Sequence, residues 1–386
     1  MNRPTIEVQD LDPKRDDYAK QFVDRLLQHA IASNSSDIHL TQSPKGTQIR
    51  VRCLGRLQEL GTFEDGTTAT LVNRLKALAG LVTYRSEIPQ EGRLVLKDAN
   101  SARKIEARVS TIPTLHGERL AIRLVPETTE AWKLQDLGLP PEHIDAIHNC
   151  LGSASGVFLI AGAAGTGKTT TAYAALREIL ASSRLRSIVS LEDPIECELE
   201  DVAQSQVRPD KDYGWSAGLR ALLRQDPEIM LVGEIRDAET AQVVFQAAMT
   251  GQLVLTTMHA RSTADALCRL LDMEVPVQQI SAALNLAICQ RLIPLRCECQ
   301  QGESLSPDRC SKCGGSGSSR MQLLVELLPS ISGRLKQALM AAEDSSELQS
   351  AAISQGMQTM TQQIQALEDS GKIAPSLKQP PSSSQP

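Results

Sequence analysis

A chain of 386 residues with 41% hydrophobic but only 3% aromatic content is long enough for two or three domains, with cores filled by Leu, Val, Ile and Ala. Its formal net charge of -6 argues against a general nucleic-acid binder, whose affinity comes from basic side chains on phosphates. No apolar run approaches the roughly 18 residues of a membrane-spanning helix, and the polar start MNRPTIEVQDLDPKRDD lacks the apolar core of a signal peptide, so a reduced cytoplasmic setting is expected. Of nine cysteines, Cys53, Cys150, Cys197, Cys268 and Cys289 stand singly and read as small apolar fillers.

In chain order, residues 1–15 are expected to be flexible. Residues 17–33 read as an amphipathic helix, with Phe22, Leu26, Leu27 and Ala30 at helical spacing. GTQIRVRCLGRLQEL alternates as a half-buried strand does, TTATLVNRLKALAGL looks helical, and EGRLVLKD, RKIEARVSTIP and ERLAIRLVP read as three further strands. Residues 16–126 thus form one small α+β domain, followed by a polar linker over 127–136. From residue 137 to 365, short apolar strands (GVFLIAG, RSIVSLED, PEIMLVGEI, QLVLTTMH) alternate with helices, the pattern of a parallel α/β sheet covered on both faces. Residues 366–386 are rich in Pro and Ser and are expected to be a disordered tail.

GAAGTGKT fits G-x-x-x-x-G-K-[ST] at every defined position, after a strand and before the helix TTTAYAALREIL. Backbone N–H groups of Gly162, Ala163, Ala164, Gly165, Thr166, Gly167, Lys168, Thr169 and Thr170 would cradle the phosphates of a nucleotide triphosphate. Lys168 would reach the outer phosphates, the Thr169 hydroxyl would hold Mg2+, and the helix N-terminus adds partial positive charge. Hydrolysis also needs a positioned water and neutralised charge. Carboxyl ends of parallel strands face such a loop. There SIVSLEDPIE offers Glu192, to polarise the attacking water, and Asp193; EIMLVGEIRD offers Glu234, to support Mg2+; QLVLTTMH offers His259, to sense the terminal phosphate. The competing reading is of ordinary solvated strand-end acids and a structural histidine. Cys297, Cys299, Cys310 and Cys313 read C-x-C-x10-C-x-x-C, a donor set for tetrahedral Zn2+, against four unligated thiols.

Taken together these motifs resemble the secretion ATPases of type II secretion and type IV pilus systems, the GspE/PulE/PilB group. LEDPIE looks like the group's aspartate-rich box, GLRALLRQDPEIMLVGEIRDAETAQ like its Walker B segment, with Glu234 in place of an aspartate, and TGQLVLTTMHARST like its histidine box. SSDIHL, VRCLGRL and RVSTIPTLHGERLAIRL look like its second N-terminal domain. The resemblance implies a RecA-like P-loop domain preceded by a small PAS-like α+β domain, and a cytoplasmic homohexamer that hydrolyses ATP with Mg2+. It implies that Arg108 and Arg123 close on the nucleotide, and that Arg236 serves similarly or forms an intersubunit salt bridge. It also implies a tetracysteine zinc module, an inner-membrane platform protein as partner, and peripheral membrane association through that partner; the acidic net charge and the lack of an aromatic-rich basic groove speak against a stable nucleic-acid partner. Two departures are the contracted C-x-C pair and the expected absence of the group's first N-terminal domain. Assembly of a pseudopilus or pilus is the expected work; the alternatives are pilus retraction, which the cysteine cluster disfavours, nucleic-acid translocation, and a nucleotide-binding scaffold without turnover.

Overall fold

The computed structural model describes residues 11–373 except 13, 34, 54, 64–67, 98–103, 127–131, 183–184, 209–210, 301–309, 311–312, 314–316, 329–330 and 342–343. The chain divides into two units, Met1–Thr129 with Pro294–Met321, and Glu130–Ile293 with Gln322–Pro386.

In the first unit, helical spacing drives α1 (Tyr18–Ala32) to bury Phe22, Val23, Leu26, Leu27 and Ala30. Phe22 meets Phe63 edge to face at 4.7 Å. Strands β1 (Ser35–Ser43), β2 (Gly46–Cys53), β3 (Arg56–Phe63), β4 (Gln90–Lys97), β5 (Lys104–Thr114) and β6 (Gly117–Pro126), with α2 (Thr68–Leu78) between β3 and β4, build a sheet of order β3-β2-β1-β6-β5-β4. Every adjacent pair is antiparallel. Period-2 alternation turns Ile49, Val51, Leu120 and Ile122 into the core. On the opposite face the register sets Arg52, Asp37, Arg123, Arg108 and Arg93 side by side across five strands. The stretch expected as one strand over residues 46–60 is two, folded back near Gly55 in left-handed conformation (φ 77°). Inside this unit Lys76, fully buried, donates to both Glu118 oxygens (2.9 and 3.1 Å) and to the Arg85 carbonyl (2.7 Å). With three acceptors the buried ammonium escapes the penalty of an unpaired charge.

The second unit carries the sheet β13-β12-β7-β11-β10-β8-β9, in which β12, β7, β11, β10, β8 and β9 run parallel. These strands are β7 (Gly156–Ala161), β8 (Ile188–Glu192), β9 (Ala203–Gln206), β10 (Ile229–Val232), β11 (Leu253–Met258), β12 (Leu284–Arg296) and β13 (Ser318–Leu328). Both sheet faces are covered, so β7 is buried along its whole length. Val157 and Leu159 join one core with Val244 and Phe245 of α6 (Ala238–Met249), whereas Phe158 and Ile160 join another with Ala172, Leu176 and Ile179 of α4 (Lys168–Ala181). Each fully buried Leu or Ile contributes about 1.5–3 kcal/mol relative to exposure.

The flanks differ from expectation. Leu11 packs against the core of the first unit, so part of the segment expected to be flexible is held; residues 1–10 lie outside the described residues. Leu134, in the expected linker, begins a 3-10 turn (Leu134–Leu137) and is fully buried. The expected tail is ordered at its start: a helix, Met360–Asp369, crosses residue 366 and Ile373 is buried. Residues 374–386 lie outside the described residues.

Candidate active site

The phosphate loop joins β7 to α4. Gly167 caps α4 in left-handed conformation (φ 84°), and Gly162 (φ 150°) lies where a Cβ would sit 2.6 Å from the Gln290 carbonyl oxygen. Only glycine fits at 162. Lys168 Nζ donates to the carbonyls of Gly162 and Ala163, both at 3.0 Å, and Thr166 Oγ1 donates to Ala163 at 2.9 Å. Ala163, Ala164 and Gly165 are exposed along the loop crest, while Thr169 and Thr170 are half-buried in the first turn of α4. Burial lowers the Lys168 pKa, and the negative charges of Glu234 and Glu196 oppose that shift. Both carboxylates therefore act on the P-loop lysine.

Glu234 follows β10. One of its oxygens accepts from Arg236 Nε at 2.7 Å and the other contacts His259 Nε2 at 2.9 Å. Arg236 reaches on to Asp193 at 3.2 Å, and the Glu234 hydrogen bond raises the guanidinium pKa. The backbone holds these strand ends in step: Gly233 N–H donates to Leu191 O (2.8 Å), Ile235 N–H to Thr257 O (2.8 Å) and Gly162 N–H to Met258 O (3.2 Å). Asp193, Glu234, Arg236 and His259 are thus one charged cluster beside the loop.

Glu192 ends β8 and is buried. It is 3% exposed; its Oε2 accepts from the Tyr173 hydroxyl, and its Oε1 from Ser190 Oγ (2.6 Å) and Gln204 Nε2 (3.1 Å). Three protein donors take three of the carboxylate's four lone-pair sites, and burial keeps the group largely from solvent. Four residues on, exposed Glu196 accepts from Thr169 Oγ1 at 3.3 Å, the hydroxyl expected on Mg2+. The sequence reading passed over Glu196 although it stands in the same LEDPIE motif. It also passed over Gln290, whose partners lie 119 and 124 positions earlier and leave no local signal.

Arg108 and Arg123 pair across β5 and β6 on the exposed face of the first unit's sheet. Arg123 Nε donates to Asp37 at 3.1 Å. In the segment 294–321 the four cysteine sulfurs lie within 4.8 Å of one another. Cys297–Cys310 and Cys299–Cys313 separations are 3.8 and 3.6 Å. A zinc ion with bonds of about 2.3 Å in tetrahedral geometry separates its sulfurs by about 3.8 Å, so the donor set fits. The acids and bases Glu303, Asp308, Arg309 and Lys312 between these cysteines lie outside the described residues.

The model of the type II/IV secretion system protein family matches residues 12–376. The type II secretion system protein E of Klebsiella pneumoniae is 36% identical over 352 residues, 86% of this chain and 70% of its own length. That of Dickeya dadantii is 38% identical over 305 residues, 79% and 60% of the two lengths. The type IV pilus assembly ATPase PilB of Thermus thermophilus is 32% identical over 364 residues, 89% of this chain and 40% of its own. This chain thus spans between 40% and 70% of these three relatives. Among solved structures, the Legionella pneumophila ATPase DotB has a TM-score of 0.69 at 24% identity, covering 95% of this chain and 97% of its own. The pilus retraction motor PilT with bound ADP has a TM-score of 0.59 at 24% identity, covering 92% and 94%. The shared architecture is the RecA-like mixed α/β fold with its parallel sheet. Among the described residues no helix is long and apolar enough to cross a membrane.

Proposed function

The chain belongs to the type II/IV secretion system protein family, and from that membership we propose that it is a Mg2+-dependent ATP hydrolase whose turnover drives assembly of a pseudopilus or pilus. The observation that carries the reading is the phosphate loop at the N-terminus of α4, with Lys168 folded over it and Glu196 on the Thr169 hydroxyl. In this reading the loop N–H groups and Lys168 bind the phosphates, and Thr169 with Glu196 or Glu234 would hold Mg2+, which supplies neutralisation of phosphoryl charge. Glu196, rather than Glu192, orients the attacking water. His259 and Arg236, both bound to Glu234, answer to the charge at the outer phosphate.

The same reading makes the protein a cytoplasmic homohexamer, acting on an inner-membrane platform protein and reaching the membrane through it. Zn2+ on Cys297, Cys299, Cys310 and Cys313 would tie the ends of their loop together, and this cluster supports assembly over retraction. The test is phosphate release from ATP with Mg2+ by the full chain. Glu234→Gln should lower turnover by about 100-fold or more while nucleotide binding persists. A wild-type chain that binds no nucleotide, or a Glu234→Gln chain with normal turnover, would overturn the reading. Stimulation by single-stranded DNA alone would replace it with a translocase.

A further inference from the structure

We infer that Gln290 is a positioning residue of the phosphate loop, whose carboxamide sets the direction of the Gly167 N–H. It rests on the nucleotide-binding reading above. Gln290 lies on β12, one residue beyond the last registered pair with β7, Cys289↔Ala161, and so stands alongside the root of the loop. Its side chain is 1% exposed and both ends are used. Nε2 donates to the Thr166 carbonyl at 2.7 Å, and Oε1 accepts from the Thr171 hydroxyl at 3.0 Å. The first bond fixes which way the amide faces, since a carbonyl only accepts and calls for the nitrogen; the Thr171 hydroxyl, which also reaches the Gly167 carbonyl at 3.3 Å, then meets the oxygen.

The peptide between Thr166 and Gly167 is trans, the only cis bond among the described residues being Asp193–Pro194. In a planar trans peptide the C=O and N–H point opposite ways. With the Thr166 carbonyl held against Gln290, the Gly167 N–H must aim away from β12, toward the open side of the loop. Gly167 is the N-cap of α4, so this donor is aligned with the helix end that favours anions. The Gln290 backbone adds a second constraint, because its carbonyl oxygen occupies the space a side chain at Gly162 would need. Gln290 itself touches no substrate; it acts through the peptide it holds.

The test compares Gln290→Met, Gln290→Glu and Asn285→Leu in the full chain. Asn285 is on the same strand and ties it to Ser155 at the far end of β7 (2.7 Å), so its loss loosens β12 without touching the loop. Affinities for MgADP and MgATP, KM, kcat and thermal unfolding are measured for each. Gln290→Met should weaken both nucleotides about tenfold and raise KM alike, with kcat within about twofold. Gln290→Glu, equal in shape but with an acceptor facing the Thr166 carbonyl, should be at least as weak. Asn285→Leu should unfold at lower temperature with unchanged affinity. Gln290 variants that bind as wild type does, variants that only unfold, or an equal affinity loss in Asn285→Leu would overturn the proposal. A wild-type chain that takes up no nucleotide would instead sink the ATPase reading.

Discussion

Glu192 and Glu196 stand four residues apart in one motif, and the structure assigns them opposite sensitivities to the same substitution. In Glu192→Gln the new amide group must replace one carboxylate oxygen among three donors. The least costly orientation keeps oxygen toward Ser190 and Gln204 and turns NH2 toward Tyr173. Burial and then the Glu192 charge raise the Tyr173 phenol pKa, so it is a committed donor at neutral pH. Its oxygen also accepts from the Glu196 N–H at 3.3 Å. Losing one charge-assisted bond in a site 3% exposed costs about 2 kcal/mol. For a unit of this size that is roughly 4–8 °C in Tm. Glu196 is exposed, so Glu196→Gln should change stability by no more than about 0.5 kcal/mol yet lower kcat about 100-fold or more. Differential scanning calorimetry and steady-state phosphate release on both variants decide the matter. An unchanged Tm with collapsed turnover in Glu192→Gln, beside normal turnover in Glu196→Gln, would refute the reasoning.

Because burial lowers the Lys168 pKa, free enzyme loses that ammonium below the ordinary value of 10.5; kcat/KM should fall on an alkaline limb centred below 10.5, while kcat of the bound complex stays flatter. A kcat/KM flat through pH 10.5 would contradict the role of the lysine. Freshly purified, reduced protein should carry about one zinc per chain, lost together with thermal stability in Cys310→Ser; under about half a zinc per chain would argue against the four-thiolate site.

The parts legible in the sequence are those whose cause is local. Strand, glycine turn and helix N-terminus follow from one another within twenty residues, so the phosphate loop could be read directly. Choosing between Glu192 and Glu196 could not, because it depends on Tyr173 and Gln204 closing over the strand end. β1 is not legible as a strand because SSDIHLTQS is mostly polar; only Ser35, Ile38 and Leu40 are buried in it. The C-terminal helices were equally faint: QSAAISQG and MTQQIQALED carry few large apolar groups. Their starts are set instead by side chains: Asp344 accepts from Ser346 and Glu347 N–H, and Thr359 and Gln362 form a capping box. Buried Glu326 accepts from the Thr263 and Met360 N–H groups, 63 and 34 positions away, a link no window on the sequence contains.

The strand-end cluster has an electrostatic consequence for the proposed reaction. Both Glu234 oxygens are engaged, one by a guanidinium and one by an imidazole. Each oxygen keeps a second lone pair, and turning one of them fully to Mg2+ or water would require Arg236 or His259 to let go. The released group would then be a hydrogen-bond donor standing next to the place where phosphoryl charge develops. Arg236 cannot leave cheaply without the charge of a phosphate to receive it, since Asp193 also holds it at 3.2 Å. In the proposed reaction bound triphosphate would favour that exchange, and the arrangement of the three strand ends would then follow the state of the nucleotide. The side chains involved are those that the parallel register of β8, β10 and β11 brings together.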